Sequence, residues 1–159
     1  MNKVIGCSGV SLLECVNPKK DKWRVRWNIV ESEDGTTAEY MEAEFCHKPS
    51  EEEIKQTIVG WFNSEVDATI LSGFEWNGMK VWLSSENQFN YKAAYDLAVQ
   101  TDGATLPVTF KFGNEEPCYH TFDTVEELTD FYTKAMLHIQ HTLADGWKKK
   151  DAFNVEQYR

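Results

Sequence analysis

The stretch GFEWNGMKVWLSSENQFNYKAAYDLA, residues 73–98, decides the fold. At its centre, Asn77-Gly78 is the dipeptide of a two-residue type I′ hairpin turn, in which both positions need positive φ. That turn sets a register: Trp76 opposite Met79, Glu75 opposite Lys80 and Phe74 opposite Val81. Trp82 then lies across from Gly73, whose missing side chain leaves room for an indole. Ser85 and Gln88 stand at capping-box spacing and start a helix. In that helix Ala94 and Ala98 centre an apolar arc flanked by Tyr91, Tyr95 and Leu97. The stretch reads as a hairpin running directly into a helix.

The same succession occurs on either side. Upstream, WRVRWNIVESEDGTTAEYMEAEF (23–45) alternates Trp23, Val25 and Trp27 with Arg24 and Arg26, the period of a half-buried strand. A three-residue loop Glu33-Asp34-Gly35, with Gly35 left-handed before a G1 bulge, pairs Trp27 with Met41, Val25 with Ala43 and Trp23 with Phe45. Arg26 then faces Glu42 and Arg24 faces Glu44, so both faces are sorted. KPSEEEIKQTIVGWF (48–62) follows, with Ser50 and Glu53 as a capping box and Ile54, Ile58, Trp61 and Phe62 on one helical side. Downstream, LPVTFKF, a turn in GNEEP (113–117) and CYHTF make a third hairpin. A third box, Thr124 with Glu127, opens a helix whose core stripe is Leu128, Phe131, Tyr132, Ala135, Met136, Ile139 and Leu143. The expected fold is α+β, an antiparallel sheet built from successive ββα units with helices on one face. Residues 1–159 read as a single domain, with an N-terminal hairpin and helix over 1–69 and a ββα-ββα region over 70–153.

Composition narrows the partners. The net charge is -10, from 26 acidic and 16 basic residues, which opposes binding to nucleic acid and to anionic membrane surfaces. Cys7, Cys15, Cys46 and Cys118 are scattered without a CxxC pair, so reduced thiols are expected rather than a disulfide framework or zinc knuckle. The first residues lack the apolar core of a signal peptide, and in LLEC a glutamate directly precedes the cysteine, against a lipoprotein site. No stretch has the ~18 apolar residues of a membrane span. The expected address is the cytoplasm or a virion assembled there.

Few residues offer chemistry. His138, His141 and Asp145 share a helical flank at ligand spacing, but that flank is polar, beside Asp130 and Lys134, and solvated histidines are the favoured reading. Cys46 and His47 are strand neighbours and point to opposite faces. Cys118 and His120 share a face, read as a packed thiol and a hydrogen-bonded core histidine. No phosphate-binding glycine loop, GxSxG or HExxH is present. No cofactor and no catalytic residue is expected. The binding candidates are Trp76 and Trp82, whose indoles can stack on sugars if exposed, and Leu137, an apolar residue opposite its helix's core stripe. For the tryptophans, core packing is the favoured alternative.

Several segments together carry a family resemblance: FEWNGMKVWL, SSENQFNYKAAYDLA, LPVTFKFG, and FDTVEELTDFYTKAMLHIQHTL ending in GWKKKDA. Over about residues 70–153 they resemble a domain family of unknown function found in tail-region proteins of phages and prophages, many from gut Bacteroides-type hosts. DKWRVRWNIV and HKPSEEEIK look like the lead-in carried by some members. The resemblance implies a virion or prophage setting and brings no catalytic residue. The expectation is a non-enzymatic structural or protein-interaction domain that meets itself, as a possible homo-oligomer, or another virion protein. The alternative is a small ligand-binding module, for carbohydrate, using exposed aromatics. A hydrolase has only the acidic surface and the histidines behind it.

Overall fold

Alternation and turn chemistry place the hairpins in the computed structural model, which describes residues 1–113 and 116–159. The chain is α+β, with three α-helices, a four-stranded antiparallel sheet and two further hairpins among the described residues. The elements are β1 (Asn2–Cys7), β2 (Leu13–Asn17), β3 (Lys22–Glu31), β4 (Thr37–Phe45) and α1 (Glu51–Ser72). They continue with β5 (Phe74–Trp76), β6 (Met79–Val81), α2 (Ser85–Gln100), β7 (Val108–Phe112), β8 (Cys118–Phe122) and α3 (Val125–Asp151). The hairpins do not share one sheet. β3 and β4 are joined by β1 and β2 in the order β1-β4-β3-β2, whereas β5-β6 and β7-β8 each stand as a two-stranded sheet.

The β3–β4 register follows the side-chain sorting: Trp23 opposite Phe45, Arg24 opposite Glu44, Val25 opposite Ala43, Arg26 opposite Glu42 and Trp27 opposite Met41. The tip differs from expectation. Ser32 donates its N–H to the Thr37 carbonyl at 2.9 Å, so the loop is the four residues 33–36. The register therefore slips by one between Trp27 and Val30, where Asn28 and Ile29 oppose the single residue Tyr40. Asn28 has φ of 53°, the left-handed first residue of a bulge. The bulge exists, but seven residues before Gly35 rather than beside it.

The middle hairpin pairs as its turn dictates, with Asn77 at φ 48° and Gly78 at φ 77°. In the third, Val108–Phe112 pairs with Cys118–Phe122, while Asn114 and Glu115 of the expected turn lie outside the described residues. Helix starts follow the caps with one shift. Ser50 and Glu53 form a full box: Glu53 N–H reaches Ser50 Oγ, and Ser50 N–H reaches Glu53 Oε2 at 2.8 Å. α2 is capped by Ser84 rather than Ser85, with Asn87 N–H donating to Ser84 Oγ, and Gln88 Nε2 donates instead to the Leu83 carbonyl.

The chain divides into two compact units, Met1–Phe62 with Lys150–Arg159, and Asn63–Lys149. The first has a core of Val25, Trp27, Ala43, Ile54, Ile58 and Tyr158. Tyr158 ties the C-terminal turn to the sheet by donating its hydroxyl to the Arg26 carbonyl at 2.9 Å. The second unit centres on Phe131, whose ring lies 5.0 to 5.4 Å from those of Tyr91, Trp76, Phe112 and Phe122. Tyr91 and Ala98 of α2 are buried there, but Leu97, expected at the edge of the arc, is 50% exposed.

Candidate functional site

The candidate binding residues fall in different surroundings. Trp76 is buried at the centre of the second core, where its Nε1 donates to Asp130 Oδ2 at 3.0 Å. Hydrogen bonds from Lys134 and then from Trp76 hold the Asp130 carboxyl below its ordinary value. Trp82, just past β6, is half-buried and stands in the wall of an open groove of about 710 Å³. Ser72, Met79, Lys80, Glu116 and Cys118 also line it. Leu137 is 42% exposed on α3. The groove thus offers one indole face, an ammonium, a carboxylate and a thiol. Among the described residues its lining holds no imidazole to activate that thiol.

His120 and His138 have structural partners. His120 Nε2 lies 2.9 Å from Glu127 Oε1, and its ring packs edge-on to Trp76 and Phe122. Glu127 therefore spends its side chain on His120, while its N–H is capped by Thr124. Cys118, expected to be packed, is exposed. β8 begins its pairing at this residue, which lines the groove. His138 Nε2 lies 3.0 Å from the Thr69 carbonyl, which also accepts the Gly73 N–H, and its ring packs on Phe74. It is thus fastened to the end of α1 while remaining half-exposed, and His141 and Asp145 on the same flank are exposed. Among the described residues, no three His, Cys, Asp or Glu side chains are grouped to hold a metal.

One feature of the first unit was read only in part in the sequence, and a second went unread. Arg26 is 5% exposed and donates to Glu14, Glu42 and the Ser11 carbonyl at 2.7, 2.8 and 3.0 Å, beneath the Tyr40 ring. Burial lowers the guanidinium pKa, and the hydrogen bonds to Glu14 and Glu42 more than restore it. The paired arginines and glutamates signalled the ladder, but Glu14 entered it only because β2 exists. A small cavity of about 230 Å³ lies among Leu12, Ile29, Ile58, Phe62 and Trp27. The Trp27 Nε1 is buried without a hydrogen-bond partner. Its indole meets that of Trp61 edge-on at 6.1 Å.

In the second unit the unread feature is the outer side of α2. Phe89 is 72% exposed and Leu97 50%, with Ala93 between them at i+4. At 100° per residue this stripe points about 150° away from Tyr91 and Ala98. A Lys92–Asp96 ion pair of 2.7 Å borders it. The i, i+4, i+8 spacing was legible, but the opposite arc satisfied the helix first.

Among the described residues no helix is long and apolar enough to cross a membrane. Comparison with curated proteins gave no match, and comparison with solved structures gave none. Residues 53–158 match the domain of unknown function DUF4376, covering α1 from its third residue, both two-stranded hairpins, α2 and α3. That match spans two thirds of the chain, so the protein belongs to the DUF4376 family.

Proposed function

We propose that this chain is a non-enzymatic structural or protein-interaction domain of a phage or prophage tail, where it assembles with neighbouring virion proteins. The observation that carries the reading is the outer stripe of α2. Exposing a phenylalanine and a leucine on one helical side, rimmed by an ion pair, costs solubility unless a partner covers them. Such a stripe suits a groove or a second helix that takes anchors at i, i+4 and i+8. The tail setting rests on the residues 70–153 resemblance.

The test is co-expression with the products of adjoining reading frames. A complex that forms with the wild type and is lost in Phe89→Ser/Leu97→Ser, at unchanged melting temperature, is the expected outcome. Such exposed substitutions shift stability by only about ±0.5 kcal/mol. No complex with any neighbour, or one indifferent to both substitutions, overturns it. The groove beside Trp82 favours a second reading, a carbohydrate-binding module. Saturable oligosaccharide binding that Trp82→Ala abolishes would replace the first reading with this one.

A further inference from the structure

We infer that β1 is a dimerisation edge, at which two copies of this chain join their four-stranded sheets by antiparallel β1–β1 pairing. The inference concerns the first unit and is independent of the α2 stripe.

The two ends of the sheet are built differently. At one end β2 carries a register break between Cys15 and Asn17 and runs directly into Pro18, which has no N–H to offer. A bulge and a proline are the ordinary guards of an exposed edge. At the other end β1 runs six residues in unbroken register with β4 and contains no proline. Its one charged side chain, Lys3, reaches Glu39 on β4 at 2.7 Å and so lies back over the sheet. Nothing in the strand blocks its free side.

Ladder alternation identifies which groups face outward. Ser8 N–H donates to the Thr36 carbonyl, continuing the β1–β4 register, so even-numbered residues bond β4. Lys3, Ile5 and Cys7 therefore turn their N–H and C=O groups to the free edge. Ile5 is also 71% exposed, and Val30, one strand beyond its partner Glu39, is 60% exposed on the same face.

A second copy fits this edge. With a two-fold axis through Ile5, the Ile5 N–H and C=O of each copy bond those of the other, an isologous contact. Lys3 then faces Cys7 of the second copy, and Val4 faces Gly6, over which Tyr40 of that copy lies. No like charges meet. Residues 1–13 contain no acidic residue in a chain that has 26, so this is where two copies of a -10 molecule approach with least opposition.

Light scattering after gel filtration, across micromolar to sub-millimolar protein, tests the inference. The wild type is expected to show the mass of two chains at the upper end. Ile5→Lys sets like charges opposite each other across the axis, while Glu39 beside it accommodates the ammonium within one chain. Ile5→Pro removes an outward N–H and spares the β4 ladder. Either variant that keeps the wild-type circular dichroism should run as one chain, and Phe89→Ser should remain two. Amide exchange gives a readout that needs no variant: Lys3, Ile5 and Cys7 should be protected at high concentration and open on dilution. A one-chain wild type at every concentration overturns the inference. So does a two-chain mass that survives both Ile5 substitutions, or one in which those three amides exchange freely.

Discussion

Glu53 shows how much one side chain settles locally. Its Oε2 accepts the N–H and hydroxyl of Ser50, both at 2.8 Å, and its Oε1 lies 2.8 Å from His47 Nε2. The Ser50 backbone bond, then the Ser50 hydroxyl and His47, hold its pKa at about 2 against an ordinary 4.5. A carboxylate depressed in the folded state stabilises fully above its unfolded value and loses that contribution as pH falls through the folded one. The window is therefore pH 4.5 down to about 2. Glu53→Gln, which keeps a capping side chain but does not titrate, is expected to flatten the decline of Tm across that window. An unchanged slope would show that the acid limb belongs to other carboxylates. This cap was legible because one serine and one glutamate stand three apart. Ser84 and Ser85 were not separable that way, since each has a polar residue three further on. The end of the hairpin decides: Leu83 is buried and bonds the Leu71 carbonyl, so the helix begins immediately after Ser84. Glu127 likewise looked like a box partner until His120, seven residues earlier on β8, claimed its carboxylate.

At the scale of elements, α3 contains a glycine that propensity alone would remove. Gly146 is buried, and a Cβ there would overlap Val66 Cγ2 on α1, a β-branched side chain with little freedom to turn away. Within the second unit, then, two helices approach closely at this point. Gly146→Ala gains about 0.5–1 kcal/mol of helix propensity but costs about 1–3 kcal/mol in overpacking. The net expectation is a loss of about 1 kcal/mol in urea unfolding, partly recovered when Val66→Ala is added. A stabilised Gly146→Ala would mean that the helices part without cost. The hairpins were legible because turn residues and cross-strand charges both point to one register. β1 and β2 were not. In β1 the apolar Val4 and Ile5 are adjacent and Gly6 contributes no side chain, so neither period shows. Gly6 is small because Tyr40 lies over it, a constraint imposed by β4 rather than by neighbours in sequence.

At the scale of the whole molecule, charge and division matter most. No proline- or glycine-rich linker marks the two units, because their boundaries fall inside helices, after Phe62 in α1 and after Lys149 in α3. Composition could not show that. The net charge of -10 opposes any meeting of two copies, and its range shrinks to about 10 Å at 0.1 M salt. Self-association at β1 should therefore tighten several-fold between low and moderate salt, the reverse of a contact held by ion pairs. Sedimentation at a series of salt concentrations measures it, and weakening with salt would place charged pairs at the interface. Of the binding candidates, the spacing made Leu137 visible, whereas the α2 stripe was hidden because Leu97 was assigned to the opposite, buried arc. Trp76 and Trp82 were separated only by packing, since one indole is buried in the core with its Nε1 on the exposed Asp130, and the other stands at the groove.

The bulge at Asn28 and Ile29 gives the first hairpin a joint between two registers, one for the core and one for the tip. On the core side, a shift of one residue would turn Arg26 toward the apolar layer. On the tip side, the pairs Val30–Glu39 and Glu31–Ala38 follow a count of their own. Insertions and deletions near residues 33–36 can thus accumulate over descent without being felt at Trp27 or Arg26. Length variation among relatives should gather beyond the joint, with the arginine ladder left in step.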